Sequence, residues 1–283
     1  LHPLLVAFRR VGAVNEKPTK FMSHIVYSLL LLLLVQAGVQ AQNWRQVYEL
    51  GLPANVDGIC ADRLDQLYLL SRHSLRKYNA QGKYESEYRE NNKGALRLDV
   101  SNPVEPIIFF EQFSRLVVLD RTMSAQQRYS LTKELWTAFG RSSDAVFWLY
   151  NANDQRLHKI NPANNQPLRS SFEMGLLLPD VGELYFSHCT EHEGSVYLHD
   201  EGSGVVAVFD LLCNYERYFT VPKSVELHFL GDYLYFLHEG EIQAQHLRRY
   251  DRQTLADTAF AEPLKSALQI AVQQNRLYIR TET

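Results

Sequence analysis

An apolar residue followed by Asn or Asp recurs along this chain, at Tyr78-Asn79, Leu119-Asp120, Ile160-Asn161, Phe209-Asp210 and Tyr250-Asp251. The steps between the Asn or Asp residues are 41, 41, 49 and 41 residues. A turn-prone or polar stretch follows each pair: AQGK, RTMS, PANN, LLCN and RQT. The marker has a local cause, because an Asn or Asp side chain bonds backbone amides ahead of it and so starts a turn. A period of about 40 residues built from short strands is the signature of a β-propeller, in which each repeat is one four-stranded blade.

A second register agrees with the first. Apolar or aromatic strands precede each marker: QLYLL (66–70), PIIFF (106–110), AVFWLY (145–150), SVYLH (195–199) and DYLYFLH (232–238). A sixth copy, NRLYIR (275–280), closes the series, and residues 42–283 accommodate six repeats of this length. The stretch NWRQVYELGL (43–52) reads as the outer strand of a blade, comparable to KYESEYRE and NYERYFTV, and it precedes the first inner strand, VDGICAD. The expected fold is therefore all-β, a six-bladed β-propeller whose N-terminal strand closes the last blade, with three or four strands in that blade. Even spacing over more than 200 residues argues against a sandwich or an ordinary barrel. The one stretch that could pass for a helix, SAQQRYSLTKELWTAF (124–139), falls where an outer strand and a crossover belong.

The repeats resemble the broad six-bladed group of NHL, YWTD and gluconolactonase-like propellers. LDVSNPVEPIIFFEQFSRLVVLDRTMS (98–124) and FWLYNANDQRLHKI (147–160) look more specifically like a family of exported propellers from Bacteroidota. The likeness extends over nearly all of residues 42–283. It implies the fold and export, and it brings no activity with it.

Export has its own signal. Ile25 to Val35, IVYSLLLLLLV, is an 11-residue apolar run. A bilayer span needs about 20 residues, so the run reads as the core of a secretory signal rather than an anchor. Val39-Gln40-Ala41 offers small residues for cleavage after Ala41, and no Cys follows to suggest lipidation. Residues 1–41 are thus expected to lie outside the fold, as an upstream extension (Met22 being the expected start) plus a signal peptide, with the propeller over 42–283. Removing Arg9, Arg10, Lys17, Lys20 and Glu16 takes the net charge from −3 to −6. Such a chain has no basic field for nucleic acid. Cys60, Cys189 and Cys213 leave at least one thiol unpaired within the chain, and a Cys189–Cys213 bridge is one option.

Candidate chemistry falls on the loops between second and third strands: SRHS (71–74), EQFS (111–114), NANDQ (151–155), DEGSG (200–204) and HEGE (238–241). They carry His73, Glu111, Asp154, Asp200, Glu201, His238, Glu239 and Glu241. One reading, suggested by the gluconolactonase-like resemblance, is a Ca²⁺ site built from Asn151, Asp154, Asp200 and Glu201, which would polarise an ester carbonyl and activate a water. The other is that Asp, Asn and Gly are simply what such turns require. HCTEHEG (188–194) gathers His188, Cys189, Glu191, His192 and Glu193, which reads either as a transition-metal site or Cys–His nucleophile pair, or as a polar hairpin tip. In a strand His188 and Cys189 point to opposite faces. The 49-residue step places about eight extra residues near EMGLLLPDVGE (173–183). There Leu176, Leu177, Leu178, Pro179 and Asp180 form either a partner-docking loop or a cover for the ring.

No nucleophile elbow, phosphate loop, H-E-x-x-H or dinucleotide fingerprint occurs. The reading is a non-catalytic exported propeller, in the periplasm or at the outer membrane. It would bind an envelope protein partner, with no nucleic acid, no cofactor and no membrane span after signal cleavage. The alternative is a metal-dependent lactonase-like hydrolase.

Overall fold

A computed structural model describes residues 3–10, 44–53, 55–90, 96–132, 134–223, 225–249, 252–254, 267–273 and 276–281. The chain forms six four-stranded antiparallel sheets arranged as the blades of a β-propeller. Two strands come first, β1 (Leu4–Arg10) and β2 (Trp44–Gly51). Blade one holds β3 (Gly58–Ala61), β4 (Leu67–Ser71), β5 (Ser74–Tyr78) and β6 (Tyr84–Arg89). Blade two holds β7 (Leu96–Asp99), β8 (Ile107–Phe110), β9 (Arg115–Leu119) and β10 (Ala125–Ser130). Blade three holds β11 (Trp136–Arg141), β12 (Phe147–Asn151), β13 (Arg156–Asn161) and β14 (Gln166–Ser170). Blade four holds β15 (His188–His192), β16 (Ser195–Asp200), β17 (Val205–Asp210) and β18 (Tyr215–Thr220). Blade five holds β19 (His228–Leu230), β20 (Tyr233–His238), β21 (Glu241–His246) and β22 (Arg252–Thr254). The last blade takes β23 (Ala267–Gln273) and β24 (Arg276–Thr281) from the C-terminal end.

That last blade corrects the sequence reading. Its order is β23-β24-β1-β2, so it has four strands, and Leu4–Arg10, expected to lie outside the fold, is one of them. β1 pairs with β24 from Leu4↔Thr281 to Arg9↔Arg276, and with β2 from Leu4↔Gly51 to Arg10↔Trp44. Side chains of a strand alternate between its faces. Leu5 and Ala7 accordingly enter the apolar seam toward blade one, while Val6 and Phe8 enter the seam toward blade five. The apolar run 25–35 and the cleavage point after Ala41 lie outside the described residues. No helix among the described residues is long and apolar enough to cross a membrane.

The markers act as the spacing implies. The side-chain oxygen of Asn79 accepts from the amides of Gln81 and Lys83, each at 3.0 Å. Asp120 accepts from Thr122 and Ser124, Asn161 from Ala163, and Asp210 from Leu212 and Asn214. Asp251 lies outside the described residues. In blades two and three the second strands are wholly buried: every residue of β8 and β12 is buried. They sit between neighbouring blades with both faces covered, which is why they read as continuous runs and not as alternation.

The long step between blades three and four contains one helical turn, α1 (Met174–Leu177). Positions three and four apart share a helix face. Met174 and Leu178 are therefore buried in the seam between blades three and four, and Leu177 packs against them, while Leu176 points outward at 71% exposure. Pro179 and Asp180 are exposed. The Leu run divides between core and surface instead of protruding as one apolar loop.

Candidate functional site

Among the described residues, the blade-to-blade connections and the loops between second and third strands emerge on one face, and the inner strands run from that face into a central channel. The channel encloses a cavity of about 980 Å³. At the loop face its wall carries Arg97 from β7, Ser187 and His188 at the head of β15, Glu201 from the β16–β17 loop, and Glu226 and His228 at the head of β19. Arg72 and His73 of blade one and Asp57 before β3 complete the rim.

A chain of polar contacts crosses this mouth from blade two to blade four. The Tyr185 hydroxyl donates to Glu111 Oε1 at 3.2 Å, and Glu111 Oε2 receives Arg97 Nε and Nη2, each at 3.4 Å. Arg97 Nη1 lies 3.1 Å from His188 Nε2, and His188 Nδ1 lies 3.3 Å from Glu201 Oε1 and 3.0 Å from Ser187 Oγ. A guanidinium only donates, so His188 Nε2 is the acceptor and the proton sits on Nδ1, facing Glu201 and Ser187. Burial, the Arg97 charge and the neighbouring histidines hold His188 neutral, pushing its pKa down to about 3.

Two further histidines surround this one. His199 pairs across the sheet with His188, their ring centroids 6.1 Å apart, and is only 2% exposed. Both His199 ring nitrogens lack a hydrogen-bond partner, as does His228 Nε2. Burial lowers both rings to about 4. Glu226 is open to the channel water yet encircled by protein, and burial with the nearby Glu201 charge pushes its carboxyl up to about 7. Glu201 is raised as well, chiefly by burial.

Of the four residues expected to hold Ca²⁺, only Glu201 lines the channel. Asn151 accepts from the Asn153 amide and donates to Glu134. Asp154 accepts from the Arg156 amide and contacts His158 at 2.9 Å. Asp200 accepts from the Gly202, Ser203 and Tyr185 amides and from Ser203 Oγ. Hard cations need several oxygens converging on one point. These oxygens organise separate turns, and no group of three His, Cys, Asp or Glu side chains among the described residues has a metal-binding arrangement. The residues present do not fit the metal.

The remaining candidates separate. His73 reaches the rim, Glu111 reaches it through Arg97, and the His238–Glu239 pair, 3.9 Å apart, stays on the blade-five loop with exposed Glu241. His188 to His192 form a regular inner strand, and only Glu193 and Gly194 make the turn. Cys189 faces the blade-three seam and His192 contacts the Gly231 carbonyl at 2.7 Å. Cys60, Cys189 and Cys213 are free thiols, so the Cys189–Cys213 bridge does not form. Sequence reasoning missed Arg97, His199, Glu226 and His228. Arg97 and His228 share one signal with His188, a charged or imidazole side chain at the head of an inner strand.

The same face is apolar beyond the mouth. Phe113, Leu135, Phe172, Leu176 and Tyr185 are 48%, 48%, 72%, 71% and 51% exposed. Their loops are stitched together: Ser114 Oγ to Glu134 O at 3.4 Å, Ala152 N to Leu135 O at 2.8 Å, and Met174 N to Gln155 O at 2.9 Å. They therefore lie on neighbouring, hydrogen-bonded loops of blades two to four.

No family model matches the chain, and no curated protein matches it. Solved structures do. A Bacteroides caccae protein of unknown function shares 8% identity at a TM-score of 0.57, over 92% of this chain and 96% of that one. Virginiamycin B lyase from Staphylococcus aureus shares 10% at 0.54, over 87% and 86%. The WD40 domain of Neurospora crassa Pan2 shares 8% at 0.51, over 77% and 69%. At such identities these likenesses establish the propeller fold and nothing finer.

Proposed function

We propose that this propeller is a non-catalytic binding module of the cell envelope. It engages a protein partner through the loop face over blades two to four. The observation that carries the reading is the set of five exposed apolar side chains, Phe113, Leu135, Phe172, Leu176 and Tyr185, held together by hydrogen bonds between their loops. Several exposed apolar side chains on one face are what protein interfaces present. The export element of the reading rests on the apolar run 25–35.

The test is a photo-crosslinking residue placed at Phe113 and, separately, at Phe172 in cells that express the chain. The same partner trapped at both sites, with the Phe113 crosslink lost in the Phe172→Ser/Leu176→Ser double variant, supports the reading. Crosslinks at neither site, or crosslinks that the double variant leaves intact, overturn it.

A further inference from the structure

We propose that the channel mouth between blades four and five binds an alkylammonium group, held by Glu201 and Glu226. This does not depend on the apolar surface described above.

The polar chain from Tyr185 to Glu201 fills the blade-three side of the mouth and fixes what remains for a ligand. Arg97 is committed to Glu111 and His188. His188 has its acceptor nitrogen against Arg97 and its proton toward Glu201. On the blade-five side, Glu226 has no hydrogen-bond or ion-pair partner among the described residues, and His228 Nε2 has none either. The mouth thus offers unspent carboxyl oxygens to whatever enters the cavity. Such a set is acceptor-rich and complementary to a cation with several N–H groups. A metal ion would need donors converging within about 2.0–2.6 Å of one point. They do not converge so here. An ammonium reaches each acceptor through its own hydrogen bond at about 2.8 Å, which suits donors spread around a channel.

Charge supports the same choice. Glu111 offsets Arg97, His188 and His199 are neutral, and Arg72 and His73 stand across the rim beside Asp57. Glu201 and Glu226 remain as two carboxyl groups crowded together, and the second holds its proton to about pH 7. An arriving cation would ionise Glu226 and release that proton to solvent, so binding weakens as pH falls below neutrality. The ammonium has two possible sources, a free amine or the lysine side chain of a docked protein.

The test is calorimetric titration of the full chain at pH 7 in two buffers of different ionisation enthalpy. The probes are n-butylammonium chloride and, separately, N-acetyl-lysine methylamide. Saturable binding with proton release is expected, weakened roughly tenfold or more in Glu226→Gln. Glu201→Gln, whose fold is checked by circular dichroism, gives an independent second loss. Binding by butylammonium alone points to a free amine, and tighter binding of the lysine derivative points to a partner's side chain; both support the site. No binding of either probe, or equal affinity in both folded variants, overturns it.

Discussion

Trp148 of blade three donates its indole N–H to Glu191 of blade four at 2.6 Å, across the seam between the two sheets. The same carboxylate accepts Ser142 Oγ at 2.7 Å and the Ser143 amide at 3.1 Å. Burial alone would raise the Glu191 carboxyl, but these bonds outweigh it and hold it below its ordinary range. One side chain therefore ties two blades by three donors. Replacing Glu191 by Ala strands those donors, Trp148 being fully buried. The expected loss is about 2–4 kcal/mol of unfolding free energy, with Glu191→Gln losing less. Urea titration followed by tryptophan fluorescence measures it, and an unchanged midpoint for the alanine variant would refute the account.

Gly140 makes a complementary prediction at the same seam. A Cβ built there lies 2.5 Å from the Cys189 carbonyl oxygen and 3.0 Å from its carbon. Both are backbone atoms of a neighbouring inner strand, so neither can swing aside. Gly140→Ala is expected to destabilise the fold by about 1–3 kcal/mol through overpacking, although alanine ordinarily suits a strand better than glycine. Thermal unfolding of the variant against the parent decides it; a raised Tm would show that the strands separate freely.

Removal of β1 is expected to weaken the ring. β1 lies between β24 and β2, and Leu5 and Ala7 are fully buried. Burying one leucine is worth about 1.5–3 kcal/mol, before its two ladders are counted. A chain beginning at Gln42 should unfold at lower temperature than the full chain, and a peptide spanning Leu4–Arg10 added in trans should recover part of the loss. Equal Tm values would mean that the blade closes without this strand. Cleavage after Ala41 would likewise sever β1 from β2, making this comparison informative about export as well.

Acidification should expose the buried histidines. His199 and His228 titrate at about 4 in the fold against 6.5 for a free imidazole, and His188 at about 3. Between these values the unfolded chain binds protons that the folded chain refuses, so stability falls as pH drops below about 6.5. Glu226 acts with opposite sign: its carboxyl is at about 7 in the fold against 4.5 ordinarily, so the stability it contributes is full below 4.5 and is lost as pH rises through 7. His199→Asn should flatten the acid limb of a stability–pH curve, and Glu226→Gln the limb between 4.5 and 7. Unchanged limbs would show that these side chains are solvated in the fold.

Local chemistry was enough to read the ring. The turn markers at Asn79, Asp120, Asn161 and Asp210 act through bonds to amides two to four residues ahead, and the apolar second strands need only be buried, so both are legible in a linear string. What tertiary closure decided is of a different kind. Leu4–Arg10 finds its place only because Arg276 to Thr281, from the far end of the chain, supplies an edge to pair with. Leu176 and Leu178 look alike in sequence, and one turn of helix sends them to opposite environments. Arg97, His188, Glu201 and Glu226 are brought to one mouth by the circular order of the blades. Each is set by distances between segments tens to hundreds of residues apart, and no local pattern encodes those distances.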